Sequence, residues 1–121
     1  MRIFKTKPFN RFARRENLDD SSLLQAVFEI ERGLVDADLG SGIVKKRVAR
    51  KGEGKRGGYR MLIAMRARHR AVFLFGFAKN ERDNIDSKQL ATLQETAGFW
   101  LTAEDRGLEQ AIEDGNLIEV R

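Results

Sequence analysis

The sequence predicts a small α+β domain: an antiparallel sheet of three or four strands packed against an N-terminal helical hairpin, with one or two helices following. Three observations predict it. Arg2–Thr6, Ile43–Arg50, Tyr59–Met65 and Ala71–Ala78 read as strands, short and rich in sheet-forming residues. Before most of them, Phe9, Phe12 and Ala13, then Leu23, Leu24, Val27, Phe28 and Ile30, recur at helical spacing. After them the helical period returns with Leu90, Leu93, Ala97, Trp100 and Leu101. At 121 residues the chain is sized for one domain, with residues 103–121 as a C-terminal extension, and can bury a core without staples.

Local chemistry marks the boundaries. Pro8 suits a first helical turn, because its φ is preset and its missing N–H is not needed there. Asp19, Asp20 and Ser21 offer N-caps for a second helix, and Gly33 offers its stop. Residues 34–42 read as loop, broken by Gly40 and Gly42. The glycines and cations of 51–58 cannot hold regular structure and predict a mobile hairpin loop. AVFLFGFA at 71–78 is apolar on both faces, which predicts the centre of the sheet. Asp86 with Gln89 has the spacing of a capping box. Thr102 with Asp105 predicts the start of a further short helix through Leu108, Ala111 and Ile112, closed by Gly115. The LIEV at 117–120 is either an edge strand or a tail.

Composition narrows the chemistry. The chain is 41% hydrophobic and 34% charged, the balance of a folded, highly charged protein. No apolar run is long enough to span a membrane, and the N-terminus lacks a signal-peptide h-region, so a cytoplasmic location is expected. Zero Cys excludes disulfides, thiolate chemistry and Cys-ligated zinc, and a single His leaves little room for an imidazole metal site. No cofactor is expected. The net charge of +5 is unevenly spread: residues 1–80 carry +11 and residues 81–121 carry −6. A basic body beside an acidic segment suggests an anion-binding surface, or a solvated charged one.

The basic residues concentrate between Lys45 and Arg60, where eight Lys or Arg accompany one acid, Glu53. Arg60 begins one strand and Lys79 ends its antiparallel neighbour, so both fall at the same end of the sheet. Such a patch suits a phosphate backbone. It suits RNA cleavage as well, because RNA supplies its own 2′-OH nucleophile. An enzyme must then provide a base, an acid and cations for the charge on the phosphorane, and a Lys with its pKa lowered by neighbouring cations can serve as base. The solitary His69 lies in the turn at the other end and reads as an ordinary turn residue. Tyr59 points away from Arg60 and reads as packing, as does Trp100. Glu81 and Asp83 read as salt-bridge partners of Arg82. The glycines at 52, 54, 57 and 58 do not make a Walker loop.

Gly54-Lys-Arg-Gly-Gly-Tyr-Arg60, Leu62-Ile-Ala64 and the stretch from Phe73 to Ile85 resemble the RelE/ParE superfamily of type II toxin–antitoxin toxins, closest to its RelE-type branch. The resemblance covers most of the chain. It implies a RelE-like fold and metal-independent, ribosome-dependent cleavage of messenger RNA. In that frame Arg60 and Lys79 would stabilise the scissile phosphate, assisted by Lys46 or Arg47 and by Arg82. Lys45, Arg50, Lys51, Lys55 and Arg56 would grip RNA of the ribosome. The chain departs from the family pattern at Asn80, where RelE-like enzymes carry Arg, and at Ile85–Asp86, where an aromatic acid candidate is absent. The implied partners are the ribosome, messenger RNA and a cognate antitoxin of helix-turn-helix type, with DNA reached only through that antitoxin. Two alternatives follow: a ParE-like toxin that inhibits DNA gyrase by binding, and an RNA-binding module without toxicity.

Overall fold

Thr6 both ends a strand and starts a helix. Its hydroxyl donates to the Phe73 carbonyl (3.2 Å) across the sheet, and the same oxygen accepts the Phe9 N–H (3.3 Å), capping the helix that Pro8 opens. The computed structural model describes residues 1–50, 58–81 and 84–121. In chain order these form β1 (Arg2–Thr6), α1 (Lys7–Arg15), α2 (Asp20–Glu31), β2 (Ala37–Asp38), β3 (Ile43–Val48), β4 (Tyr59–Arg66), β5 (Arg70–Ala78), α3 (Ser87–Thr102), α4 (Asp105–Glu113) and β6 (Leu117–Val120). The expected loop at 51–58 lies outside the described residues except for Gly58.

The sheet has six strands in the order β2-β3-β4-β5-β1-β6. The domain is α+β as expected, but the sheet is larger than three or four strands and is mixed. β1 is an interior strand, parallel to β5 and antiparallel to β6. Periodicity identifies strands one at a time, whereas this order depends on pairings between residues far apart in sequence. The helical hairpin also needs correction: α1 and α2 share a face but are held separately. α1 lies on β5 and β1, while ion pairs tie α2 to β1 through Lys5–Asp20 (3.1 Å) and to β3 through Lys46–Glu29 (2.7 Å).

Helices cover both faces. Phe9, Phe12, Leu23, Val27 and Ile30 pack on Met61, Ile63, Ala71 and Phe73 from one side. Ala97, Leu108 and Ala111 pack on Phe4, Ile43, Leu62, Ala64, Val72 and Leu74 from the other. β5 is apolar on both faces because it is buried from both. Leu108 and Leu117 retain 0% and 1% exposure, so residues 103–121 complete the second core. The capping box at Asp86–Gln89 forms, whereas α4 begins at Glu104 without a side-chain cap. α3 ends against Arg70, whose Nη1 donates to the carbonyls of Trp100 (2.7 Å) and Ala103 (2.8 Å). This cation at the start of β5 is buried and satisfies a helix C-terminus.

Opposite Leu62 and Ile63 the register shifts, leaving Leu74 as an extra residue on β5. The bulge puts Leu74 and Phe75 on the same face. Two residues on, Gly76 meets α1: a Cβ there would lie 2.3 Å from the Phe12 ring. Gly76→Ala is expected to destabilise the protein by about 1–3 kcal/mol through overpacking, read by urea denaturation. Pairing it with Phe12→Leu should recover part of that loss.

The acidic segment closes the far edge. Arg2 donates to both carboxylate oxygens of Glu119 (2.9 Å each) and to Glu109 (2.7 Å). The hydrogen bond from Arg2 holds the Glu119 carboxyl below its ordinary value, against the opposing effect of burial. A depressed carboxyl pKa adds stability that is full above the unfolded value and is lost as pH falls through the folded one. Wild type should therefore exceed Glu119→Gln in stability at pH 7, with the gap closing below about pH 4.5. Paired thermal melts from pH 7 to pH 3 check this; a gap independent of pH refutes it.

Candidate functional site

Period two sorts the cations of β3. Ile43 belongs to the core beneath α3 and α4, so Lys45 and Arg47 project to that face, while Lys46 and Val48 project to the α1–α2 face. β3 pairs antiparallel with β4, setting Arg47 opposite Arg60 and Lys45 opposite Leu62. β4 in turn sets Arg60 opposite Phe77 and Leu62 opposite Phe75. One level of the sheet thus reads Arg47–Arg60–Phe77 across three strands, and the next reads Lys45–Leu62–Phe75. Three cations from adjacent strands share a face with two aromatic rings whose centroids are 6.1 Å apart.

Arg60 is the inner member. It keeps 8% exposure, and its Nη1 lies 3.5 Å from the Tyr59 carbonyl. Arg47 is more accessible and donates its Nε–H to Asp36 at 3.1 Å, which partly offsets its charge. Lys79 is exposed at the same end of the sheet, its backbone N–H donating to the Gly58 carbonyl at 3.2 Å. Gly58 is tightly placed, since a Cβ would come within 2.2 Å of the Val48 carbonyl oxygen. That close backbone approach fixes the β3–β4 register, and hence the facing of Arg47 and Arg60.

The other expected cations do not gather here. Lys46 is 5% exposed on the opposite face, its Nζ 2.7 Å from Glu29. That pair sits beside a cavity of about 440 Å³ between α2 and β3. Arg50 lies over the Tyr59 ring (5.6 Å) and 3.8 Å from Glu16. Tyr59 packs edge-on against Phe12, as its alternation predicts. Lys51, Lys55, Arg56, Arg82 and Asp83 lie outside the described residues. His69 is exposed in the β4–β5 turn, at the end of the sheet away from Arg60. The acidic C-terminal residues Glu109 and Glu119 engage Arg2 beyond β1, on the opposite edge from β3. Phe75 and Phe77 are the site residues that sequence reasoning missed. Both are turned to this face by the bulge at Leu74, which the alternation of β5 alone does not reveal.

The arrangement can hold and polarise a phosphate. A guanidinium offers planar, paired donors that fit phosphate oxygens, and partial burial strengthens its field. Among the described residues no group of three or more His, Cys, Asp or Glu is placed to hold a metal, and no helix is long and apolar enough to cross a membrane.

Comparison with protein families places the chain. The family model described as the RelE toxin of the RelE/RelB toxin–antitoxin system covers residues 1–120. No curated protein matches significantly.

Proposed function

The chain belongs to the RelE toxin family of toxin–antitoxin systems, and from that premise we propose that it acts as a ribosome-dependent endonuclease on messenger RNA. The observation that carries this reading is the facing of Lys45, Arg47 and Arg60 on one side of two adjacent strands, β3 and β4, with Lys79 at the same end. In the reaction the 2′-oxygen bonds to the adjacent phosphorus, passing its proton to a base. The bond to the 5′-oxygen then breaks, and that oxygen takes up a proton. Negative charge peaks on the phosphorane between these events, so a fixed guanidinium stabilises the transition state more than the substrate. Arg60 has that role, with Arg47 and Lys79 assisting and Lys45 holding flanking phosphate. Arg82 belongs to the same proposal on its sequence position alone.

As a toxin of this family the chain pairs with an antitoxin; the partner we propose is a helix-turn-helix DNA-binding protein, and the site of action is the cytoplasm, where ribosomes and messages lie. Induced expression followed by mapping of message 5′ ends tests the reading. Cuts in phase with codons are expected. Growth arrest without phased cuts overturns it. Asn80, where RelE-like nucleases carry Arg, favours one second reading, a non-catalytic toxin that inhibits gyrase. A supercoiling assay with purified gyrase separates the two.

A further inference from the structure

α1 carries Lys7, Arg11, Arg14 and Arg15 among nine residues and no acid. Lys7, Arg11 and Arg14 are spaced by four and three, so they line the side of the helix opposite Phe9, Phe12 and Ala13. All are exposed, and among the described residues no carboxylate pairs with these three. Only part of this serves the fold. Arg14 and Arg15 in the last turn suit the helix dipole, and Arg15 lies over the Phe12 ring (5.6 Å). Lys7–Arg11 and Arg11–Arg15, by contrast, are like charges one turn apart, which weaken a helix. Lys7 and Arg11, which the helix does not need, point to a ligand.

Its position indicates which ligand. β1 pairs with β5 only from Arg70 to Phe73, and beyond that the strand lies against α1, with Gly76 under Phe12. A groove of about 200 Å³ runs there, lined by Arg11, Arg15, Phe75 and Phe77, with the exposed carboxylate of Glu81 also on its wall, so two cations face one acid along it. Phe77 is the cross-strand neighbour of Arg60, so the groove joins α1 to the candidate site. Phe75 also lines a cleft of about 320 Å³ with Gln89 and Leu93, and so stands half-buried between the two. Cations at both ends with an aromatic ring between them are what a single strand needs: charge for phosphates and a face for a base.

We propose that α1 is a second phosphate-binding surface, and that a single-stranded RNA runs from the Arg60 end of the sheet past Phe75 onto Lys7, Arg11 and Arg14. This rests on the RNA-binding part of the proposed function, though not on cleavage. The test uses a 2′-O-methyl RNA oligonucleotide, which lacks the attacking hydroxyl, titrated into the full chain at several salt concentrations. Each single-strand phosphate contact contributes about 0.7 to the salt slope. The Lys7→Gln/Arg11→Gln/Arg14→Gln variant should therefore lower the slope by about 2 and weaken binding on the order of 10–100-fold at 0.1 M salt. The Arg32→Gln/Arg66→Gln/Arg106→Gln variant makes the same charge change on exposed residues off this path, and should leave the slope close to wild type. An unchanged slope in the α1 variant, an equal loss in the control, or no binding by wild type each overturns the proposal. So does retained RNA affinity with lost antitoxin binding, which would assign the stripe to a protein partner. Absence of codon-phased cuts would sink the nuclease reading and leave this result standing.

Discussion

Arg60→Gln is expected to slow ribosome-dependent RNA cleavage about 10²–10³-fold, the loss that follows removal of one fixed donor from a charged transition state. The size follows from three features. The residue sits on an interior strand, its register is held by the close approach at Gly58, and it is largely withdrawn from water. Its charge therefore acts without solvent screening and without reorganising during the reaction. Glutamine keeps much of the volume and some hydrogen bonding, which limits structural damage. Single-turnover cleavage on programmed ribosomes measures the effect, with a thermal melt as the check on folding. A rate within threefold of wild type would remove Arg60 from the mechanism. Arg60→Lys should recover only part of the loss, since an ammonium keeps the charge but lacks the planar fork.

The largest expected effect on stability lies on the other face. Glu29→Ala should cost about 3–5 kcal/mol, because it strands the Lys46 ammonium in a buried site. Against a total of about 5–15 kcal/mol for a domain, that is a large fraction. Lys46→Met/Glu29→Leu, which removes both charges and fills the space, should lie near wild type or above it. Urea midpoints at constant m decide between these outcomes. The double variant also assays a catalytic role for Lys46. Its side chain points to α2, away from Arg60, so cleavage by a stable double variant should match wild type; a loss comparable to that of Arg60→Gln would return Lys46 to the reaction.

Much of this was legible in the sequence because it was local. Asp19 and Asp86 announced their helices through side-chain caps, and the Gly33 stop needed only a positive φ. The placement of Arg60 and Lys79 at the same end of the sheet followed from the hairpin alone. Alternation also held the means to separate Lys45 and Arg47 from Lys46, given that Ile43 is a core residue. The illegible parts were those set by distant partners. β1 was visible as a strand, but its parallel place beside β5 is fixed by contacts across some seventy residues. The capping role of Arg70 was invisible because the carbonyls it holds lie about thirty residues away. The bulge at Leu74 exists only in the pairing of β4 with β5, so the orientation of Phe75 could not be read from the alternation of its own strand.

The place of β1 between β5 and β6 has a consequence for how the protein is made. β1 is synthesised before the other five strands, yet its two neighbours in the sheet arrive about seventy and more than a hundred residues later, and the Arg2–Glu119 bond spans 117 positions. Such high contact order delays folding, since loop closure must precede any gain from pairing. A nascent chain on the ribosome cannot complete this sheet until Val120 has left the exit tunnel. The sheet thus stays incomplete throughout the synthesis of residues 1–119. During that interval its β5 core sequence, apolar on both faces, is open to chaperones and proteases before the Arg60 site exists.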